Sequence, residues 1–516
     1  MIYYLETIKS DYNSAIILYI WHNQKGYTFY SEVYNLFLGK LCSMLFAVNS
    51  YNCPLRRIHN KVISVIALLF LFIIISAYFF TASATGSFSS VNSVNKDTVK
   101  EYVKVSVIAR KSNSIFKRKK VHYRIHILNT YNEPQDGTVT YEIRSEKNKQ
   151  LSGGVFNIHI DAKSSINIKT KFKVPTPGFY DYIVRINLSD YDDTIKTVFG
   201  YKPKLINTPF HKPADFDQFW DNAKKELATI EPKYVIEYSK KQSTKTHRYY
   251  NVEMQSLNNI TIHGWLSIPR LPGKFPVLLV MPGYKQVLQP MFPDDQAIFC
   301  LTVRSVEQLN KKGMNPRDEP EYCMVNIDDK NNFIYRGAYM DCLRAVDFIF
   351  ANYQLGLDTG RVIVFGGSQG GSFALITAAL DHRIAICGAD NPIFCDFHNY
   401  YEIANNKTSD AFPIKYYNWH LRQNASMKEY LFKVLDYFDV QNFIPYIKCP
   451  ALFALGTLDP IAPPGCVYAA YNKLEGFAKR KSEIHILTNI GHEITEEYSF
   501  IKFLWIEENT VNGMGN

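Results

Sequence analysis

The sequence offers little to metal or redox chemistry. Its nine cysteines (Cys42, Cys53, Cys300, Cys323, Cys342, Cys387, Cys395, Cys449 and Cys466) are scattered, none falls between Cys53 and Cys300, and no CxxC pair occurs. An odd, unpatterned set in a long chain is not a disulfide framework. Single buried thiols are the expected state, with room for one bridge if the chain is exported. There is no P-loop, no G-x-G-x-x-G after a strand and no Cys/His spacing of a zinc site, so no cofactor and no metal are expected. His492-Glu493 does not open an H-E-x-x-H zinc helix, because position 496 is glutamate. Acidic charge is also in short supply: 58 Lys and Arg stand against 48 Asp and Glu, a net +10. The excess lies mostly in the first two fifths, with a dense run at Arg110, Lys111, Lys117, Arg118, Lys119, Lys120 and Arg124. The run reads first as a solvated loop between two strands, and otherwise as a contact for an anionic polymer or lipid surface. No nucleic-acid motif accompanies it, and no nucleic-acid partner is expected.

What is present supports a large folded protein. The 516 residues exceed one ordinary domain, and two domains with a terminal extension fit that length. Residues 62–80 form an uncharged apolar run, preceded by Arg56, Arg57 and Lys61 and followed by no charge until Lys96. That is long enough to cross a bilayer as a helix, and the flanking cations place the N-terminal side in the cytoplasm. Ala82-Ser83-Ala84 resembles a signal-peptidase site, so 61–84 reads as a signal peptide or a membrane anchor. Either way the remainder is expected outside the cytoplasm, periplasmic or at the cell surface. Residues 1–60 show no clear domain, and Met44 is an alternative start. Residues 85–100 read as a linker.

From 101 to 203 short alternating strands and turns follow one another, at 102–109, 121–128, 138–144, 154–160, 166–174 and 180–188, with a turn at 132–137. About seven strands in a hundred residues imply an antiparallel sandwich of immunoglobulin type. From 209 to 512 the pattern changes to apolar strands alternating with helices. Strands are read at 275–281, 297–303, 362–365, 451–455 and 483–487, and helices at 214–227, 337–351 and 369–379. Continuous apolar strands between helices imply a mostly parallel sheet covered on both faces, the α/β class.

The chemistry is carried by Gly366-Gly367-Ser368-Gln369-Gly370, a G-x-S-x-G between a predicted strand and a predicted helix. In that context the motif is the sharp elbow that presents a nucleophilic serine. A serine hydroxyl needs a base, and the base needs an orienting carboxylate. In α/β-hydrolases the acid and then the histidine follow the serine in the chain. Asp459 stands in the loop after the strand 451–455, and His492 in the loop after 483–487, where ligands gather on such sheets. Asp390 and Asp396 are rival acids, and His485 lies inside a strand. The oxyanion donors are read as the backbone amides of Gln369, just after the serine, and of Tyr284, in the Pro282-Gly283-Tyr284 loop after an early strand.

These motifs resemble the acetyl xylan esterase and cephalosporin C deacetylase family, carbohydrate esterase family seven, of the α/β-hydrolase superfamily. The likeness spans roughly 209–505. It rests on Phe216-Asp217-Gln218-Phe219-Trp220, Gly283-Tyr284, Arg336-Gly337-Ala338-Tyr339-Met340-Asp341 with Arg344-Ala345, the elbow, Asp459 with Pro463-Pro464, and Gly491-His492-Glu493. The family's Arg-Gly-Gln segment is replaced here by Arg304-Ser305-Val306. The resemblance implies removal of acetyl groups from carbohydrates, and a homo-oligomer as the family's habit. Aromatic residues at Phe397, Tyr400, Tyr401, Phe412, Tyr416, Tyr417 and Trp419 form either a sugar-stacking surface or a helical cap packed on its own rings. A serine peptidase of the prolyl-oligopeptidase type and a non-catalytic carbohydrate-binding protein are the alternative functions.

Overall fold

The computed structural model describes residues 103–110, 114–305, 321–407 and 410–512. The N-terminal extension, the apolar run 62–80 and the linker 85–100 lie outside the described residues, as do Cys42 and Cys53. No helix among the described residues is long and apolar enough to cross a membrane. The seven described cysteines are buried and free.

Eight strands come first: β1 (Val103–Ala109), β2 (Ile115–Phe116), β3 (Lys120–Asn129), β4 (Gln135–Ser145), β5 (Gln150–Ile160), β6 (Ser165–Lys173), β7 (Gly178–Leu188) and β8 (Asp192–Tyr201). They form a three-stranded sheet, β1-β3-β6, and a five-stranded sheet, β2-β8-β7-β4-β5. Alternation of apolar and polar residues gives strands such as β3 and β6 one buried face. Val121, Tyr123, Ile125 and Ile127 of β3 meet Tyr180, Tyr182, Val184 and Ile186 of β7 in one core. The rings of Tyr123 and Tyr182 stack at 4.4 Å, and Thr170 and Tyr182 share a hydroxyl hydrogen bond of 2.9 Å between the sheets. Three expectations change. The predicted turn at 132–137 ends early, because Gln135–Gly137 already belongs to β4. A Cβ on Gly137 would lie 2.0 Å from the Asn187 carbonyl oxygen, so this glycine marks a close approach of strands. And β8, absent from the sequence reading, opens with Asp192 and Asp193 and is buried only in its second half. The basic run is not a simple loop, since Lys120 and Arg124 lie within β3.

The second region contains α1 (Phe216–Thr229), β9 (Val235–Tyr238), β10 (His247–Gln255), β11 (Thr261–Pro269), β12 (Phe275–Met281), β13 (Ala297–Thr302), α2 (Ile334–Ala351), β14 (Leu357–Gly367), α3 (Gln369–Leu380) and β15 (Ile386–Asp390). It continues with α4 (Phe397–Lys407), α5 (Ile414–Gln423), α6 (Lys428–Leu435), α7 (Val440–Phe443), β16 (Ala451–Gly456), α8 (Pro464–Asn472), α9 (Gly476–Lys481), β17 (Glu483–Leu487) and α10 (Glu496–Asn512). One nine-stranded sheet runs in the order β17-β16-β15-β14-β12-β13-β11-β10-β9. From β17 to β13 the pairing is parallel. The edge β11-β10-β9 is antiparallel, and the sequence reading did not identify these three strands. The sheet is covered on both faces: Val362 and Val364 of β14 join the core shared with α2 and α3, while Ile363 and Phe365 pack with Tyr498 and Trp505 of α10.

The family-like segments have structural reasons. Arg304, at the end of β13, is buried and forks onto Asp341 of α2 with bonds of 2.7 and 2.9 Å. A Cβ on Gly337 would lie 2.0 Å from that guanidinium. The Arg-Gly-x-x-x-Asp pattern on α2 therefore makes a slot for Arg304 and neutralises it there, although Ser305 and Val306 depart from the family's sequence. Phe216, Phe219 and Trp220 anchor α1 in the main core.

The sandwich and the α/β region meet along the five-stranded sheet. Its outward residues Phe179 and Val198 belong to the core of the α/β region, with the Phe179 ring 6.1 Å from that of Tyr468 on α8. At the β4–β5 turn, Glu146 accepts a 2.7 Å bond from the amide of Gly465, near the start of α8. Thr197 donates to Asn489 at 2.7 Å. At the other end of α8, Asn472 donates to the carbonyls of Pro203 and Ile206 at 2.9 Å each. The three-stranded sheet packs on the other face of the five-stranded sheet, through the core shared by β3 and β7, and so lies on the side of the sandwich away from the α/β region.

Candidate active site

β14 runs into the elbow and α3 begins one residue beyond Ser368. Ser368 itself has φ 57° and ψ −122°, a conformation that costs a non-glycine residue about 1–3 kcal/mol. Its amide donates to the Asp390 carbonyl at 2.8 Å. The glycines of the motif are required by space. A Cβ on Gly366 would lie 2.4 Å from Gly370, and one on Gly370 would lie 2.4 Å from the Met281 carbonyl oxygen. The second contact also seats the 281–284 loop against the elbow.

Three chain-distant residues meet here. His492 Nε2 lies 2.8 Å from Ser368 Oγ, and His492 Nδ1 lies 2.7 Å from Asp459 Oδ2. The other Asp459 oxygen accepts from the amides of Ile461 at 2.8 Å and Ala462 at 2.9 Å. Asp459 is 4% exposed, so these amides hold a buried carboxylate in one orientation and supply the partners that burial demands.

The acid and histidine loops are stitched together. The Leu458 amide donates to Ile490 O at 2.9 Å, and the Asn489 amide donates to Thr457 Oγ1 at 2.8 Å. A Cβ on Gly456 would lie 2.1 Å from Gly491 O. Asn391 joins both loops: its amide side chain donates to the Glu493 carbonyl at 2.9 Å, and its oxygen accepts from the Gly456 amide at 2.9 Å. Sequence reasoning missed Asn391. Its signal was an asparagine just past a strand end, a residue tolerant of the positive φ of 44° found there.

The rival acids are elsewhere. Asp390 accepts from Tyr498 at 2.8 Å and pairs with Lys502 at 2.5 Å. Asp396 is buried beside Asp439. Burial pushes both carboxyls up, and the neighbouring Asp396 helps take Asp439 to about 7. His485 lies in β17 beside Glu483.

Gln369 opens α3, and its side chain accepts from the Tyr335 hydroxyl at 2.7 Å. In the 281–284 loop the Gly283 amide is engaged by Gln286 at 2.8 Å. The Tyr284 hydroxyl donates to Glu321 at 3.0 Å and accepts from the Cys323 amide at 3.3 Å, and its ring packs on Phe412 at 4.4 Å. Burial pushes this phenol well up. The Tyr284 side chain therefore anchors the loop whose backbone faces the elbow. A cavity of about 470 Å³ opens at the elbow, lined by Ser368, His492, Gly283, Gln286, Leu288 and Met291 among others. Among the described residues no group of three or more His, Cys, Asp or Glu is arranged to hold a metal.

The aromatic segment forms α4 and α5 of a helical cap. Phe397, Tyr400 and Tyr417 are buried in the main core, whereas Trp419 is 56% exposed. Most of this cluster is packing, as the second reading of the sequence had it.

Residues 200–508 match the acetyl xylan esterase (AXE1) family. The acetyl esterase Axe7A of Xylanibacter ruminicola is 27% identical over 400 residues, covering 73% of this chain and 84% of that protein. Among solved structures, the acetyl xylan esterase from Paenibacillus sp. R4 is 27% identical with a TM-score of 0.52, covering 60% of this chain and 98% of its own. Acetyl xylan esterase 1 from Thermoanaerobacterium sp. JW/SL YS485, 23% identical with the same TM-score and coverage, shares the fold. With the family match spanning more than half its length, this chain belongs to the acetyl xylan esterase family and is a carboxylic ester hydrolase of the acetyl esterase kind.

Proposed function

We propose that the enzyme removes acetyl groups from carbohydrates such as acetylated xylan or xylo-oligosaccharides by a Ser-His-Asp acyl-enzyme mechanism. The observation that carries this reading is the unbroken line from Ser368 Oγ through His492 to Asp459, with bonds of 2.8 and 2.7 Å. His492 takes the serine proton as Oγ attacks the ester carbonyl. The imidazolium that forms is stabilised by Asp459, and its Nε2 proton goes to the leaving sugar oxygen. Water, deprotonated by the same nitrogen, then attacks the acyl-serine and releases acetate. The backbone amides of Gln369 and Tyr284 are assigned to the oxyanion. The carbohydrate substrate is supported by the family and by Axe7A, an acetyl esterase.

Acetate release from acetylated xylo-oligosaccharides by the full chain, beside Ser368→Ala, tests the proposal. Release by the wild type with loss of several orders of magnitude in the variant supports it. A folded wild type that leaves sugar esters intact and cleaves peptides overturns it.

We read residues 103–201 as an immunoglobulin-type sandwich. The support is the strand order and Tyr180, near the start of β7, whose hydroxyl donates back to the Thr176 carbonyl. Export to the periplasm or cell surface is proposed from residues 62–80 alone. Fractionation of cells making the full chain and a chain lacking 62–80 tests it: cytoplasmic wild-type protein sinks the idea.

A further inference from the structure

The two outward faces of the sandwich treat charge differently. On the five-stranded sheet, acids and bases alternate and pair. Glu142 binds Arg144 at 2.8 Å and Arg185 at 2.7 Å, and Asp181 lies 3.4 Å from Lys196. The three-stranded sheet has no Asp or Glu in β1, β3 or β6. The register instead sets Lys120 opposite Lys173, His122 opposite Lys171 and Arg124 opposite Lys169. The period-2 pattern sends all six outward, since the residues between them, Val121, Tyr123, Thr170 and Phe172, are buried. Directly opposed side chains have Cβ atoms only about 5 Å apart, and like charges so placed destabilise a sheet. Among the described residues none of Lys120, Arg124, Lys169, Lys171 and Lys173 has an acidic ion-pair partner. Lys117, Arg118 and Lys119 are exposed at the same end, where the Lys119 carbonyl accepts from the Val174 amide.

We propose that this face is a docking surface for a carboxylate-bearing polysaccharide, held by rows of cations rather than by stacking. A partner of that kind relieves the repulsion that the fold otherwise tolerates. The rows run along the strands at a spacing of about 7 Å between alternate residues, which suits an extended polyanion. The only Tyr and Phe of the three strands, Tyr123 and Phe172, point inward. The face therefore has no phenyl or phenol ring to stack on a base or neutral sugar. Its one large exposed apolar side chain among the described residues is Ile108, too little for the apolar face that lies in a lipid interface. The choice of a polysaccharide rests on the carbohydrate-esterase reading above. Because the face points away from the hydrolase, it tethers the polymer and leaves the catalytic cleft free for acetylated units of the same chain, raising their local concentration.

The test uses the full chain, affinity electrophoresis in glucuronoxylan, and the same polymer after reduction of its carboxyl groups. The expected result is retention by the native polymer, weakened about tenfold by carboxyl reduction or by raising NaCl from about 50 to 200 mM. The triple variant Lys169→Glu, Lys171→Glu, Lys173→Glu should lose retention by a similar factor. It should hydrolyse a small neutral acetyl ester at the wild-type rate, and its Tm should rise, because each new carboxylate faces Lys120, His122 or Arg124. A rise in Tm separates lost docking from misfolding. Equal retention on the carboxyl-reduced polymer, undiminished retention of the variant, or tighter binding to phosphatidylglycerol–phosphatidylcholine vesicles or duplex DNA overturns the proposal. A wild type that binds glucuronoxylan but hydrolyses no acetyl ester sinks the esterase reading and leaves the docking surface standing.

Discussion

At the catalytic end, charge is answered within the chain. Asp459 is met by His492 and by two backbone amides, and Asn391 holds the loops that carry both residues. On the outer sheet of the sandwich, Arg124 faces Lys169 and Lys120 faces Lys173 with no acid between them. The contrast separates two ways of preparing for a ligand. A catalytic site must be complete before substrate arrives, because reorganisation during the reaction raises the barrier. A docking face is left incomplete, and the missing charges belong to something else.

The largest expected effect tests the completeness of the catalytic end. Asp459→Asn keeps the shape but upsets the histidine tautomer, and kcat should fall about 10⁴-fold. A loss below about tenfold would mean that the carboxylate is not what orients His492. Next comes Asn391→Ala, which unties the two loops without touching Ser368. Single-substrate kinetics should show kcat reduced about 10- to 100-fold with KM nearly unchanged, and a pure KM effect would assign Asn391 to substrate contact instead.

The joint between the regions gives the third effect. Burial raises Glu146 from 4.5 to about 7, with Lys407 and the Gly465 amide opposing and Asp181 and Asp396 reinforcing. A carboxyl raised in the folded state contributes stability that is full below its unfolded value and is lost as pH rises towards 7. Tm should therefore fall between pH 5 and 8, and Glu146→Gln should flatten part of that fall, Asp439 keeping the remainder. An unchanged slope refutes the assignment. Gly465→Ala places a methyl 2.0 Å from the Glu146 carboxylate and should cost about 1–3 kcal/mol in urea denaturation. The smallest effect sharpens the other side of the comparison. Lys169→Thr removes one like-charge pair and should raise stability by about 0.2–1 kcal/mol, whereas replacing a base that has an acidic partner, as in Arg185→Thr, should not raise it.

Legibility in the sequence follows the range of the interactions involved. The meeting of Ser368, Asp459 and His492 could be anticipated because the elbow's steric demands lie within five residues, and because the other two stand in loops just past short strands. Strands β12 and β17 were placed without error, β12 as a buried, unbroken apolar run and β17 as a short alternating strand at the edge of the sheet. Strands β9 to β11 were passed over because the half-exposed alternation of β10 blurs into loop, and β8 because it opens on two aspartates. Asn391, the Arg304 slot and the Glu146–Gly465 bond join residues far apart in the chain, and no local pattern announces them. The basic run was visible as composition, but its facing partners Lys169, Lys171 and Lys173 appeared only with the register.

Helix α8 follows the loop that carries Asp459. Glu146 of the sandwich holds its first turn, and Asn472 at its last residue is bolted to the connecting segment at Pro203 and Ile206. The helix is thus splinted at both ends by residues that precede the hydrolase in sequence. For protein engineers the consequence is practical. The segment 203–208 looks like a place to cut or to graft a different module, yet a transplant there would carry off the splint and leave the acid loop unsupported. A workable chimera has to exchange the sandwich, the connecting segment and α8 together, as one heritable block.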